Sequence, residues 1–428
     1  MTQLNINVHH VTRVEGHGNI TVNAKDGKIE EITWEIPESQ RFFEAMLIGL
    51  SYEDVTWIAP RICGICSIAH STASIQATEA AFGVQLSKQT LLLRKLLYHS
   101  ETLQSHVHHL YFLATPDFLN VGSVLPLVNT HKEVVLRALR LKKLANDLAD
   151  LIGGRKTHPI ACIVGGFAKL PEVSQLQAMQ QRLSQAMGDL KETAKLFQGF
   201  DIPNFIRETE YIALKDPNEY AFISGDISST DTGIAPIADY LTMTNEFCVP
   251  QSTAKFSKHN RDSYMVGALA RFNNNYSQLL PEAKKAAHDL GLKPICHNPY
   301  MISIAQIVES VHAVEDSLRI INQLIAQGLK EERPEVQVKA GKGIGAVEAP
   351  RGILFHDYTY DDKGILTKAN CITPTNQNHN NIQKDMEVLV PSIINKPQEK
   401  ITHMLEMLVR AYDPCISCST HFLKVKFV

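Results

Sequence analysis

The chain has 428 residues, 44% of them hydrophobic and 20% charged, with a formal net charge of −3, the composition of an ordinary globular protein long enough to bury a large core. That charge gives no electrostatic ground for nucleic acid or an anionic membrane as partner, no stretch approaches the roughly 18 to 20 apolar residues of a spanning helix, and the start, Met1-Thr2-Gln3-Leu4-Asn5, lacks the basic and apolar regions of a signal peptide. A soluble, cytoplasmic chain without direct membrane insertion is the expectation.

Residues 4–36 alternate polar and apolar, and Asp26-Gly27 between Ile20-Thr21-Val22 and the run from Ile29 to Trp34 has the chemistry of a hairpin turn. From Gly64 onward Ile65, Ile68, Ala69 and Ala73 begin a helical period. Cys63 and Cys66 therefore fall at or just before a helix N-terminus, where the helix dipole favours thiolate over thiol. Long helical patterns follow over 91–113, over 129–152 with a stop at Gly153-Gly154, and over 173–198, 262–290 and 301–327. Between them, 208–235 and 335–373 carry short β-like runs, and Asp361-Asp362-Lys363-Gly364 reads as a second hairpin turn. Helical segments 380–394 and 398–412 lead to Asp413. No repeat, low-complexity tract or linker interrupts the chain. The pattern predicts one domain over 1–428, mainly α, a long-helix bundle with small peripheral β elements whose two ends meet.

Four of the eight cysteines stand in pairs three residues apart, Cys63 with Cys66 and Cys415 with Cys418, each followed by a histidine. Cys162, Cys248, Cys296 and Cys371 stand alone, as small buried thiols do. Paired cysteines in a large chain without a secretion signal point to a metal or to catalysis rather than to disulfides. Four thiolates suit zinc, copper(I), an iron–sulfur cluster or nickel. Structural zinc modules separate their pairs by about 12 to 20 residues, whereas about 350 intervene here, so the site belongs to the centre of a finished domain. A thioredoxin-like redox pair lacks its βαβ context.

The segments Arg61-Ile62-Cys63-Gly64-Ile65-Cys66-Ser67-Ile68-Ala69-His70 and Asp413-Pro414-Cys415-Ile416-Ser417-Cys418-Ser419-Thr420-His421 resemble the two signatures of the large, catalytic subunit of nickel–iron hydrogenases, and the resemblance covers essentially the whole chain. It implies a catalytic subunit that cleaves H2 reversibly and heterolytically into protons and electrons. Cys63, Cys66, Cys415 and Cys418 would bind nickel, with Cys66 and Cys418 shared with an iron that carries carbon monoxide and cyanide. Cys63 and Cys415 would then be terminal thiolates, either able to take the proton, and Val11-Thr12-Arg13-Val14-Glu15-Gly16-His17 resembles the N-terminal motif whose glutamate, here Glu15, passes protons from the terminal cysteine. Arg41-Phe42-Phe43-Glu44 resembles the segment whose glutamate, with the last motif's His421, holds magnesium. Glu348-Ala349-Pro350-Arg351-Gly352 resembles the strand that suspends an arginine, Arg351, over the metals, with Asp117 and Asp413 orienting and balancing it. His70 is expected to bond a cysteine sulfur or cyanide rather than a metal. His99, His106, His108 and His109, by contrast, read as packing and hydrogen-bonding residues.

The same resemblance implies a small subunit with iron–sulfur clusters to receive the electrons, since no further cysteine cluster is present, together with further electron-transfer subunits of the cytoplasmic, multi-subunit branch. Assembly would use a nickel chaperone and a maturation protease, with residues 422–428 a peptide removed after His421. Gly341-Lys342-Gly343-Ile344-Gly345 is too short and ill-placed for a nucleotide fingerprint. A regulatory hydrogen sensor with the same metal site, an energy-converting homologue and a zinc-stabilised structural protein are the competing readings.

Overall fold

The computed structural model describes residues 3–26, 28–332 and 335–420. His421 and the proposed removable peptide, residues 422–428, lie outside the described residues, as does Gly27 of the first hairpin turn.

Long helices form the interior. Lys88–His108 packs against Lys132–Gly153 and against Ile302–Gln327, which also packs against Val173–Gln198. Each buries a stripe at three- and four-residue spacing; in Lys132–Gly153 it is Leu141, Leu144, Ala145, Leu148 and Ile152. Ser87 caps the first of these helices by accepting from the Thr90 N–H, and Gly154, at φ 73°, ends the second. The predicted helix over 91–113 ends differently: after His108 it widens into a π-helical turn, His109–Ala114, before the short Thr115–Phe118 helix that carries Asp117. The expected helix over 262–290 is broken into Ala268–Asn275 and Pro281–Asp289, because Pro281 opens a new helix and cannot continue an old one. Among the described residues no helix is long and apolar enough to cross a membrane.

The histidine cluster is absorbed by this interior. His99 Nε2 lies 2.8 Å from Asp316 Oδ2, His106 Nε2 lies 2.8 Å from Glu309 Oε2, and His109 lies 2.6 Å from Gln306 Oε1 and 2.7 Å from the Arg410 carbonyl. Nearby His312 is buried and accepts from the Leu280 N–H. Burial, then the neighbouring His99, pushes His312 down to about 3. Its folded pKa thus lies below the unfolded value of about 6.5, so the stability it contributes is present above that value and is lost as the pH falls toward 3. His312→Gln should flatten the slope of unfolding free energy against pH in that window by up to about 1.4 kcal/mol per pH unit, one proton's worth. Denaturant midpoints at several pH values measure the slope whatever the variant's absolute stability.

Helices make up about half of the chain, and the β elements are less peripheral than predicted. Gln3–Val8, Asn19–Lys25 and Lys28–Glu35 form an antiparallel sheet that buries Trp34, whose Nε1–H donates to His379 Nδ1 at 3.1 Å. Gly341–Ala349, Gly352–Tyr360 and Leu366–Ile372 form a second antiparallel sheet lying directly on Ser67–Phe82, the helix that follows Cys66. The reason is the glycine run that is too short for a nucleotide motif. Strand side chains alternate between faces, so Gly341, Gly343 and Gly345 share one face, and a Cβ on them would sit 2.4 Å from Ala81 O, 2.1 Å from Ala77 O and 2.0 Å from Ala73 O respectively. The missing side chains let helix backbone and strand backbone touch. The tight turn Pro350-Arg351 between the first two strands is thereby registered against the Cys66 helix.

Candidate metal centre

The first half-site is shaped by the backbone. The 3-10 turn Ala59–Ile62 hands the chain to an extended Cys63, and Cys66 occupies the N-cap of Ser67–Phe82. The N–H groups of Ile65 and Cys66 donate to Cys63 Sγ at 3.3 and 3.2 Å, a small anion-binding nest suited to thiolate. The Cys66 side chain does not cap its helix. Buried Glu101, reaching over from Lys88–His108, accepts from the Ile68 and Ala69 N–H groups at 2.7 and 2.9 Å instead, so the cap is supplied without the sulfur.

The second half-site follows the helix Gln398–Ala411. Asp413, at φ 50°, turns the chain, and the Cys415 N–H donates to Thr375 Oγ1 at 3.1 Å. Glu15 lies beside Cys415 as an isolated parallel bridge, with the Ile416 N–H donating to the Glu15 carbonyl at 2.9 Å. Gly16, at φ +81°, permits this approach, since a Cβ there would lie 2.8 Å from both Ile416 Cβ and Ser417 N. Arg41 joins the half-sites by donating from Nη2 to the Ile62 carbonyl at 2.7 Å and the Ser417 carbonyl at 2.5 Å. It thus grips the residue before each of two cysteines.

All four thiols are buried, and they converge. Cys415 Sγ is 2.8 Å from Cys418 Sγ and 3.6 Å from Cys63 Sγ, while Cys63, Cys66 and Cys418 hold their sulfurs within 4.8 Å of one another. Hydrogen bonds from Cys415, Cys418 and Cys66 hold Cys63 well below the usual thiol range. Cys415, bonded to Cys418 and Cys63, is pushed well above it. Four soft donors crowded in this way carry protons that a bound cation would displace.

The surrounding charges sort into distinct pairs. Cys415 Sγ donates to Glu15 Oε2 at 3.2 Å, and Ser417 holds that carboxylate with its N–H at 3.0 Å and its hydroxyl at 2.5 Å. Arg351 donates from Nε to the Asp413 carbonyl at 2.5 Å and from Nη2 to Asp413 Oδ1 at 2.9 Å. Among the described residues its Nη1 and Asp413 Oδ2 are buried polar atoms without a hydrogen-bond partner, as expected beside a site built for another group. Arg351 is held in turn by buried Arg271, which donates to the Ala349 and Pro350 carbonyls at 2.8 and 3.0 Å and pairs with Glu309 and Glu348.

Asp117 departs from expectation. Its carboxylate accepts from Arg13 Nη2 at 2.5 Å and from Arg410 Nε and Nη2 at 2.7 and 2.9 Å. Two other guanidinium groups thus occupy it, because the Thr115–Phe118 turn faces the last helix, and Asp413 is the ion-pair partner of Arg351. His70 Nδ1 faces His356 Nε2 at 3.0 Å. Glu44 accepts from the Cys371 N–H at 2.6 Å, and burial pushes its carboxyl up to about 7; its expected companion His421 lies outside the described residues. Sequence reasoning does not single out Arg41, Glu101, Arg271, His356 or Ser417. Only Arg41 and Ser417 lie within the recognised motifs, which is a usable signal.

Comparison with known proteins agrees with this arrangement. The family model described as nickel-dependent hydrogenase matches residues 41–135 and 251–421, and one described as HoxL-like matches 5–38. The alpha chain of sulfhydrogenase 1 from Pyrococcus furiosus is 35% identical over 427 residues, 99% of each chain. A chain of the F420-non-reducing hydrogenase from Methanothermobacter marburgensis is 30% identical over 448 residues, 96% of this chain and 93% of its own. In fold, the chain superposes on an NAD+-reducing [NiFe]-hydrogenase with a TM-score of 0.88 at 24% identity, covering 98% of this chain and 99% of the other. It superposes on the Ni-Fe-Se hydrogenase from Desulfomicrobium baculatum with a TM-score of 0.76 at 23% identity, covering 98% and 100%. The chain belongs to the nickel-dependent hydrogenase family. Within it, this is a large-subunit chain, part of a hydrogenase oxidoreductase.

Proposed function

We propose that the chain is the catalytic subunit of a nickel–iron hydrogenase, cleaving H2 heterolytically at a nickel–iron centre that Cys63, Cys66, Cys415 and Cys418 would hold. The observation that carries this reading is the convergence of four buried thiols from opposite ends of the chain, with a carboxylate on one side and a guanidinium on the other. Bound there, nickel and iron, the iron with carbonyl and cyanide ligands, would supply Lewis acidity and redox capacity toward H2. Everything else is done by side chains of this chain. A proton on Cys415 Sγ has an acceptor 3.2 Å away in Glu15 Oε2, whose oxygens the two Ser417 donors keep aimed at the sulfur. Arg351, fixed by Asp413, offers a permanent positive charge and an unused Nη1 to the centre. Arg13 and Arg410 share Asp117, and Arg410 also lies 3.6 Å from Glu406, so two carboxylates balance the two guanidinium groups.

Glu44, a buried carboxyl, has the chemistry to ligate magnesium together with His421, and a divalent cation would favour its charged form. Electrons leave through an iron–sulfur small subunit, then through further electron-transfer chains, in keeping with relatives whose own names make them single chains of larger hydrogenases. A cytoplasmic location, a nickel chaperone and proteolytic removal of residues 422–428 complete the proposal.

Glu15→Gln tests it. The amide keeps the shape of glutamate but is a poor proton acceptor, so nickel and iron content of the purified complex should stay at wild-type levels while hydrogen turnover falls about 10²- to 10⁴-fold, the usual contribution of a positioned general base. Elemental analysis, infrared spectra of the metal-bound carbonyl and cyanide, and hydrogen-dependent dye reduction read the three quantities. Zinc in place of nickel, without those infrared bands, would return the site to a structural role. Full turnover by Glu15→Gln would remove Glu15 from the proton path.

A further inference from the structure

Three buried side chains form a row leading to the cysteine-bearing helix. His70 Nδ1 lies 3.0 Å from His356 Nε2, and His356 Nδ1 lies 2.6 Å from the Tyr358 hydroxyl. His356 and Tyr358 share one face of Gly352–Tyr360, directly opposite Gly345 and Gly343 of the neighbouring strand. The absent glycine side chains that bring the sheet onto the helix also leave room for these rings to reach it.

A neutral imidazole carries one N–H and one bare nitrogen, so this row is self-consistent in only two ways. Either every proton points toward His70, or every proton points away from it. Two considerations select the first. Burial pushes the Tyr358 phenol well above its ordinary range, so its hydroxyl keeps its proton and requires an acceptor, which His356 Nδ1 provides. His70 also stands four residues beyond Cys66, on the helix that this half-site heads, close enough to act on Cys63, whose thiol is held well below its usual range and so favours a donor over a lone pair.

We propose that Tyr358 and His356 are positioning residues that fix His70 in its Nε2–H tautomer, so that the histidine offers the cysteine half-site a hydrogen-bond donor. Tyr358 O–H donates to His356 Nδ1, His356 Nε2–H donates to His70 Nδ1, and the His70 proton resides on Nε2. The functional consequence rests on the metal-centre reading above: an N–H aimed at a ligating thiolate draws charge from the sulfur and tunes the metal.

Nitrogen-15 NMR of the full chain labelled at histidine, in the solid state with magic-angle spinning, reads tautomers directly, because protonated and bare ring nitrogens resonate far apart. His70→Gln and His356→Gln assign the two rings by loss of their signals. Both rings are expected to be bare at Nδ1 and protonated at Nε2. Tyr358→Phe deletes the donor to His356 Nδ1 and should turn both rings into mixtures of tautomers. Tyr360→Phe, which deletes a hydroxyl bonded to Thr78 Oγ1 at 2.8 Å, should leave both unchanged. A wild-type His70 protonated at Nδ1 overturns the proposal even if Tyr358→Phe does not fold, and a folded Tyr358→Phe chain with wild-type tautomers overturns it as well. Nickel content of the same wild-type protein tests the metal-centre reading separately. The expected tautomers in a chain that takes up no nickel would overturn that reading and uphold the row of donors.

Discussion

Cys418→Ser protein, purified as its native complex, is expected to contain no nickel above background and to turn over no hydrogen. The Cys418 sulfur sits 2.8 Å from that of Cys415 and within 4.8 Å of those of Cys63 and Cys66, so it belongs to the donor set. A serine hydroxyl is nearly the same size but is a hard donor that keeps its proton, whereas nickel among thiolates needs a soft anionic ligand. Cys418 is buried at 3% exposure, and an oxygen in place of sulfur changes the packing little. The metal-free chains should therefore unfold within about 1 kcal/mol of one another, which separates loss of metal from loss of fold. Cys162→Ser is the matched control. That thiol is buried too, but in the neighbourhood of Arg94 and Glu79 and outside the group of converging sulfurs. Cys162→Ser should keep its nickel. Nickel retained in Cys418→Ser, or lost equally from Cys162→Ser, would show that the converging thiols are not the site.

The sequence carries the parts of this centre that are local. Cysteine spacing, the helix beginning beside Cys66 and the boundaries of Val173–Gln198 and Ile302–Gln327 follow from patterns a few residues long, and such patterns are properties of the chain itself. Pairings between distant segments are not legible in it. The family resemblance sets Asp117 beside Arg351, yet the partners of Asp117 are Arg13 and Arg410, 104 and 293 residues away in sequence, and only the folded chain decides which guanidinium arrives. Glu101 looks like one more polar residue on a long helix; its task, capping another helix whose own cap is a cysteine, exists only after the two helices cross. The glycine run 341–345 invites a reading in ligand chemistry when its meaning is steric. Alternating glycines in a strand mark close approach of another backbone, but nothing in their spacing names the helix that approaches.

That steric meaning gives the second large effect: Gly345→Ala should destabilise the chain by about 1–3 kcal/mol or more and, where the protein is recovered, impair nickel retention and turnover together. The added Cβ would lie 2.0 Å from Ala73 O and 2.9 Å from both Ala73 C and Ala77 N. These are backbone atoms in the middle of Ser67–Phe82, held by the helix's own hydrogen bonds, so no flexible tip can swing aside. Relief requires the sheet to lift from the helix. Arg351 stands at the tight turn that follows the Gly341–Ala349 strand, and Cys66 stands at the head of the helix. Lifting one from the other shifts the guanidinium relative to the thiols and strains the contacts of Arg351 with Asp413. Glycine content as such is not the cause. Gly188, inside Val173–Gln198, has nothing within 4 Å of a built Cβ, and Gly188→Ala should stabilise the chain by about 0.5–1 kcal/mol through helix propensity alone. Denaturant midpoints for the two alanine variants should therefore move in opposite directions, and only Gly345→Ala should lose nickel. A Gly345→Ala protein with wild-type stability and metal content would mean that the strand and the helix are not in backbone contact, and with that the geometric link between Arg351 and Cys66 would fail.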